Sequence, residues 1–86
     1  MNTNNNEYNG YANYETWNVA LWIQNDEGLY NLARDYRHKI SPYKRFIESL
    51  RELGENSPIA FQTPDGVSWN DSSLDVDALD EILADL

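Results

Sequence analysis

The chain has no cysteine, a single histidine, three prolines and four glycines in 86 residues. Without cysteine no disulfide can staple the fold and no thiolate can bind a metal or attack a substrate, which suits a reducing compartment. His38 lies in a basic helix end, Ser41 is explained by capping and Ser68 by a turn or strand, and neither serine has a recognisable base partner. No apolar run approaches the roughly 20 residues that span a bilayer. The first ten residues, five of them asparagine, lack the basic and apolar regions of a secretory signal. Basic residues are absent from most of the chain. Residues 1–33 carry four acids and no base, and residues 52–86 carry nine acids and no base. All six bases (Arg34, Arg37, Lys39, Lys44, Arg45, Arg51) fall between 34 and 51, beside Asp35 and Glu48, and the net charge is −9. Either the acidic ends fold over the basic middle, or they form a negative surface that engages a basic partner.

What the chain has in quantity is aromatic side chains: three Trp, six Tyr and two Phe. A domain of this size buries only about 60% of its unfolded surface, so rings worth about 150–250 Å² each supply much of the core. The densest stretch is Asn13-Tyr14-Glu15-Thr16-Trp17-Asn18-Val19-Ala20-Leu21-Trp22-Ile23. Read as a helix, it is apolar on two sides, with Tyr14, Trp17 and Leu21 on one and Val19, Trp22 and Ile23 near the other. Such a helix either sits centrally, with Trp17 and Trp22 both in the core, or reserves one side for a partner.

The expected fold is mainly α: a compact bundle of three to four helices with a short β-hairpin or ordered loop before the C-terminal helix. Residues 1–10 should be a disordered tail and 11–86 one small helical domain. Asn13 is a good N-cap for a first helix ending near Gln24. Asp26 can cap a second helix with the stripe Leu29, Leu32, Ala33, Tyr36 and Ile40. Ser41-Pro42 reads as N-cap and first position of a third, whose apolar face is Tyr43, Phe46, Ile47, Leu50 and Leu53 and whose C′ residue is Gly54. Ile59, Phe61 and Thr63, then Val67 and Trp69, alternate about a Pro64-Asp65-Gly66 turn; Ile59, Phe61, Val67 and Trp69 would face inward in a hairpin. The last helix, capped by Ser73 or Asp75, has Val76, Leu79, Ile82, Leu83 and Leu86 on its apolar face.

The carboxylates near the C-terminus fail the calcium-loop pattern begun at Asp65 or Asp71, because glycine and glutamate do not fall at the required positions. No metal, cofactor or catalytic residue is expected, and the net charge disfavours direct nucleic-acid binding. The acids suit the opposite role: carboxylates on a helix can mimic phosphates and occupy a protein's own nucleic-acid channel. The candidates for partner binding are Asp75, Asp77, Asp80, Glu81 and Asp85 on the last helix, with Glu52 and Glu55 upstream, and Trp17 and Trp22 as aromatic anchors.

Residues Asn13 to Trp22 also resemble a signature, N-Y-E-T-W-N-x-x-L-W, of small uncharacterised proteins from bacteriophages, plasmids and bacteria. The likeness, which extends to Asn25-Asp26-Glu27, covers about one fifth of the chain and brings no catalytic residue with it. It implies a mobile-element setting, where small acidic proteins often inhibit host defences; anti-CRISPR or anti-restriction activity is the specific expectation. The expected protein is thus a non-enzymatic phage-type inhibitor, monomer or homodimer, in the host cytoplasm. It would bind a basic protein surface on a defence nuclease or CRISPR effector complex, without contacting nucleic acid or membrane, and block nucleic-acid access or assembly. The alternative is a regulatory or structural module that binds protein through an aromatic patch on the first helix.

Overall fold

The computed structural model describes residues 8–54 and 57–86. The expected tail therefore lies outside the described residues for its first seven positions, as does Glu55. Four helices, α1 (Tyr14–Asn25), α2 (Glu27–Arg34), α3 (Pro42–Leu53) and α4 (Val76–Ala84), and a 3-10 turn at Pro58–Ala60 form a mainly α bundle.

Side-chain caps set the helix starts. Asn13 Oδ1 accepts from Thr16 N at 2.9 Å, and Asp75 caps α4 through Ala78 N. Asp26 serves two helices: its N–H closes α1 on Trp22 O, and its carboxylate accepts from Leu29 N to open α2. A single residue thus turns α1 into α2, and the two helices pack closely.

The core is assembled from one face of each helix and from the 57–75 segment. α1 contributes Thr16, Val19, Ala20 and Ile23, the spacing of one helical face. Leu29 and Ala33 come from α2, Tyr43, Phe46 and Leu50 from α3, and Leu79 and Leu83 from α4. Trp69 sits at the centre, edge-on to Phe46 with ring centroids 5.9 Å apart. Its indole N–H donates to Ile59 O at 2.6 Å, and its carbonyl accepts from Tyr43 OH at 2.5 Å. Both polar ends of these buried rings are therefore satisfied, and burial pushes the Tyr43 phenol pKa well above its ordinary value.

Five expectations change around α2 and α3. The second helix ends at Arg34, because Asp35, Tyr36, Arg37 and Lys39 each donate back to the residue three positions earlier and the chain tightens out of α geometry. Ile40, expected on its apolar stripe, is 85% exposed. Ser41 stands at the N-cap of α3 but in a left-handed conformation, φ +53°, with no capping bond from its side chain; Asp80 of α4 supplies the cap, accepting from Tyr43 N at 2.9 Å. At the other end of α3, Leu53 points to solvent, and Gly54 has φ −113° rather than a left-handed turn. This glycine permits close approach: a Cβ there would lie 3.4 Å from Ala60 Cβ.

The 57–75 segment is an ordered loop, with a single antiparallel bridge, Gln62↔Ser68, in place of two strands. Its tip is a tight turn in which Gly66 N donates to Thr63 O, with Gly66 at φ +90°. Val67 and Trp69 face inward as expected, whereas Phe61 is 51% exposed and Thr63 is buried. The 3-10 turn explains the difference. Phe61 closes it with helical backbone angles, so alternation starts one step late and the Phe61 ring turns outward beneath the Arg51 guanidinium.

Candidate functional site

α4 is the element on which the acids gather. It shows Leu79 and Leu83 to the core and half-buries Ile82, which leaves the opposite side to polar residues. Asp77, Glu81 and Asp85 recur every four residues and are all exposed, so they form one stripe along the outer face. Successive carboxylates rise about 6 Å along the axis. Glu52 is exposed on the last turn of α3.

Two expected members of this surface are occupied within the fold. Asp75 is the N-cap of α4, and its own N–H donates to the buried Thr16 hydroxyl at 2.9 Å, tying α4 to the first turn of α1. Asp80 is half-buried and spends Oδ1 on the first turn of α3. Asp71, upstream, accepts from both N and Oγ of Ser73, and these bonds, the hydroxyl's first, hold its carboxyl below the usual range. The acids that lie close in sequence are thus directed to separate tasks. Among the described residues no group of three or more His, Asp or Glu side chains is placed to hold a metal ion.

The bases lie on other elements than this stripe. Arg34, Lys39, Lys44, Arg45 and Arg51 are exposed. Arg37 donates to Arg34 O, Arg45 donates to Ile40 O, and Arg51 lies over Phe61. These guanidiniums decorate the α2–α3 side of the molecule and meet backbone carbonyls or a ring.

The two tryptophans of α1 are both half-buried. Trp17 lies in a surface cluster with Tyr8 and Tyr14, ring centroids 4.8 and 5.7 Å away. Tyr8 reaches it because Asn9-Gly10, both at positive φ, reverse the chain and pair Tyr8 with Tyr11 through two 2.8 Å bonds. Trp22 packs against the core with its ring and donates its indole N–H to Asp65 Oδ2 at 2.9 Å.

That bond belongs to a network that sequence reasoning did not find. Asn18 is buried in the middle of α1. Its Nδ2 donates to Asp65 Oδ2 at 2.8 Å, and its Oδ1 accepts from the buried Thr63 hydroxyl at 2.7 Å. Thr63 Oγ1 in turn accepts from Val67 N and Asp65 N. The Asn18 amide, then the Trp22 indole, hold the Asp65 carboxyl below its ordinary pKa. The available signal was an asparagine inside an apolar helical run, a residue type that costs stability when buried unless both ends of its amide are bonded.

Residues 4–86 match the model of a family of unknown function, DUF7249, and the chain belongs to that family. No curated protein matches the chain. No solved structure matches it.

Proposed function

We propose that the protein is a non-enzymatic inhibitor that acts by binding a basic protein surface through the outer face of α4. Its target in this reading is a host defence nuclease or CRISPR effector complex in the cytoplasm, with nucleic-acid access or assembly blocked by occupation of a basic channel. The observation that carries the reading is the stripe Asp77, Glu81 and Asp85, exposed together on a helix that sits in a 35-residue segment without one Lys or Arg. Carboxylates about 6 Å apart give roughly half the axial charge density of one DNA strand, whose phosphates recur every 3.4 Å or so. Glu52 lends a further negative charge. Attraction of this kind steers encounter and weakens as salt rises.

The test is affinity capture from a bacterial lysate at low and high ionic strength, read by mass spectrometry, with the wild-type chain and the variant Asp77→Lys/Glu81→Lys/Asp85→Lys side by side. Recovery of a basic nucleic-acid-binding protein that is lost at high salt and with the variant is the expected result. Equal recovery by the variant rejects the stripe as the binding surface.

A second reading rests on the ring cluster. Tyr8 and Tyr14 are each 39% exposed beside Trp17, and large aromatics are typical interface anchors. A regulatory or structural module using this patch loses its partner on Trp17→Ala at any salt concentration and keeps it with the lysine variant. Trp22, bonded to Asp65 and packed on the core, is the poorer anchor of the two.

A further inference from the structure

The most exposed large apolar side chain among the described residues is Ile40, and it is held out rather than left loose. Ser41 next to it adopts a left-handed backbone, φ +53° and ψ +59°, which costs a non-glycine residue roughly 1 kcal/mol or more. The Ile40 carbonyl accepts from Arg45 Nε at 3.3 Å, which ties the loop back to α3. A groove of about 330 Å³ opens on the same helix, between α3 and residues 69–76, with Ile47, Trp69, Leu74 and Val76 along its walls. Lys44 and Glu48 line both this groove and the smaller depression under Ile40. A projecting isoleucine and an apolar groove therefore flank one pair of opposite charges, four residues apart on α3.

We propose that this face is where a second copy of the chain docks, α3 against α3 and antiparallel. A twofold axis through the middle of the Lys44–Glu48 turn sets Lys44 of each copy opposite Glu48 of the other. The same operation turns Ile40, which precedes the first turn of α3, toward Arg51 of the other copy, about 7.5 Å from the axis at 1.5 Å per residue. Arg51 is on the wall of the groove, so each Ile40 meets the apolar groove of its mate. An isologous contact of this kind needs a surface that is complementary to itself, and α3 offers a knob, a hole and a reversible charge pair in that arrangement. The balanced rim, Lys44 and Arg51 against Glu48 and Asp71, lets two chains of net charge −9 approach here without local repulsion. The stripe on α4 is not used, so the inference stands whether or not that stripe binds a defence protein.

Sedimentation velocity over a concentration series into the hundreds of micromolar reads the association directly. Wild type should shift from monomer toward dimer. Ile40→Glu should remain monomeric, and Lys44→Glu or Glu48→Lys alone should weaken association about ten-fold or more, since each change acts twice across the axis. The double variant Lys44→Glu/Glu48→Lys, which rebuilds both pairs with signs exchanged, should dimerise again. Circular dichroism and tryptophan fluorescence confirm that each variant is folded; Ile40, Lys44 and Glu48 all lie on the surface. A wild-type chain that stays monomeric throughout, or a double variant no better than its parents, overturns the proposal. So does a dimer indifferent to Ile40, and so does a groove that takes a foreign peptide while the chain alone remains monomeric.

Discussion

Asn18 ties the α1 side of the bundle to the 63–67 turn. It is 1% exposed, with its amide donating to Asp65 and its carbonyl accepting from Thr63. Asn18→Ala removes the bridge and leaves the Thr63 hydroxyl short of an acceptor in a buried site. The expected loss is about 2–3 kcal/mol, read from chemical denaturation monitored by circular dichroism. Asp65 contributes through its charge. Its carboxyl pKa lies below the unfolded value in the folded chain, so its stabilising effect is fully present above that unfolded value, about 3.9, and is lost as pH falls through the folded pKa. The Tm difference between wild type and Asp65→Asn should be constant near neutrality and shrink below about pH 4. A difference unchanged down to pH 2 would mean that the bonds to Asn18 and Trp22 do not favour the charged form.

At the scale of elements, Asp80 shows how a residue can look like surface and act as structure. Its carboxylate caps a helix 37 residues upstream in sequence, in the place where Ser41 makes no side-chain bond. Asp80→Ala should cost about 1 kcal/mol, as losing a local cap does, whereas Asp77→Ala, on the open face, should stay within about 0.5 kcal/mol. Urea midpoints of the two variants compare them directly, and equal midpoints would remove the cap from the account. The caps that are local in sequence, Asn13, Asp26 and Asp75, were legible in the chain, as were most of the apolar faces of α3 and α4, Leu53 and Val76 excepted, since both are exposed; the core face of α1, with Thr16 and Ala20 on it, was not. The cap supplied by Asp80 was not, because nothing in the spacing of residues 41 and 80 brings them together. The outward turn of Phe61 and burial of Thr63 were hidden for a related reason. The hydrophobic pattern favoured Phe61 facing inward, and a 3-10 turn plus the needs of Asn18 reversed it. Ile40 continued a helical spacing perfectly well; the tight turns at 35–39 took it off the face. Of the candidate site, the exposed acids were readable from the pattern of the last helix; whether Trp17 lay in the core or at the surface stayed open in the sequence, and the network that fixes Trp22 depends on a contact across 43 residues.

For the molecule as a whole, the division of charge along the sequence is a division among elements. The bases lie on α2, on α3 and in the turns between them, three of the guanidiniums meet carbonyls or a ring, and the segment that carries the α4 stripe holds no cation. A stripe built to stabilise the fold would have placed positive charge near the helix C-terminus, where the dipole favours it. Asp85 stands there instead, at the C-cap of α4. Stability and binding should therefore respond in opposite directions to the same change. Asp77→Lys/Glu81→Lys/Asp85→Lys moves the net charge from −9 to −3. It leaves three like charges four residues apart but lowers the self-repulsion of the whole chain, and it sets a lysine where the dipole prefers one, while placing one cation in the first turn. The balance should hold Tm level or raise stability by a few tenths of a kcal/mol, even as affinity for a basic target falls. Differential scanning calorimetry beside the capture experiment measures both. A variant that unfolds early would show that the stripe is structural, with its carboxylates held by contacts inside the bundle. A stable variant that no longer binds would separate the two roles, because the lost charges would then have served the target and not the fold.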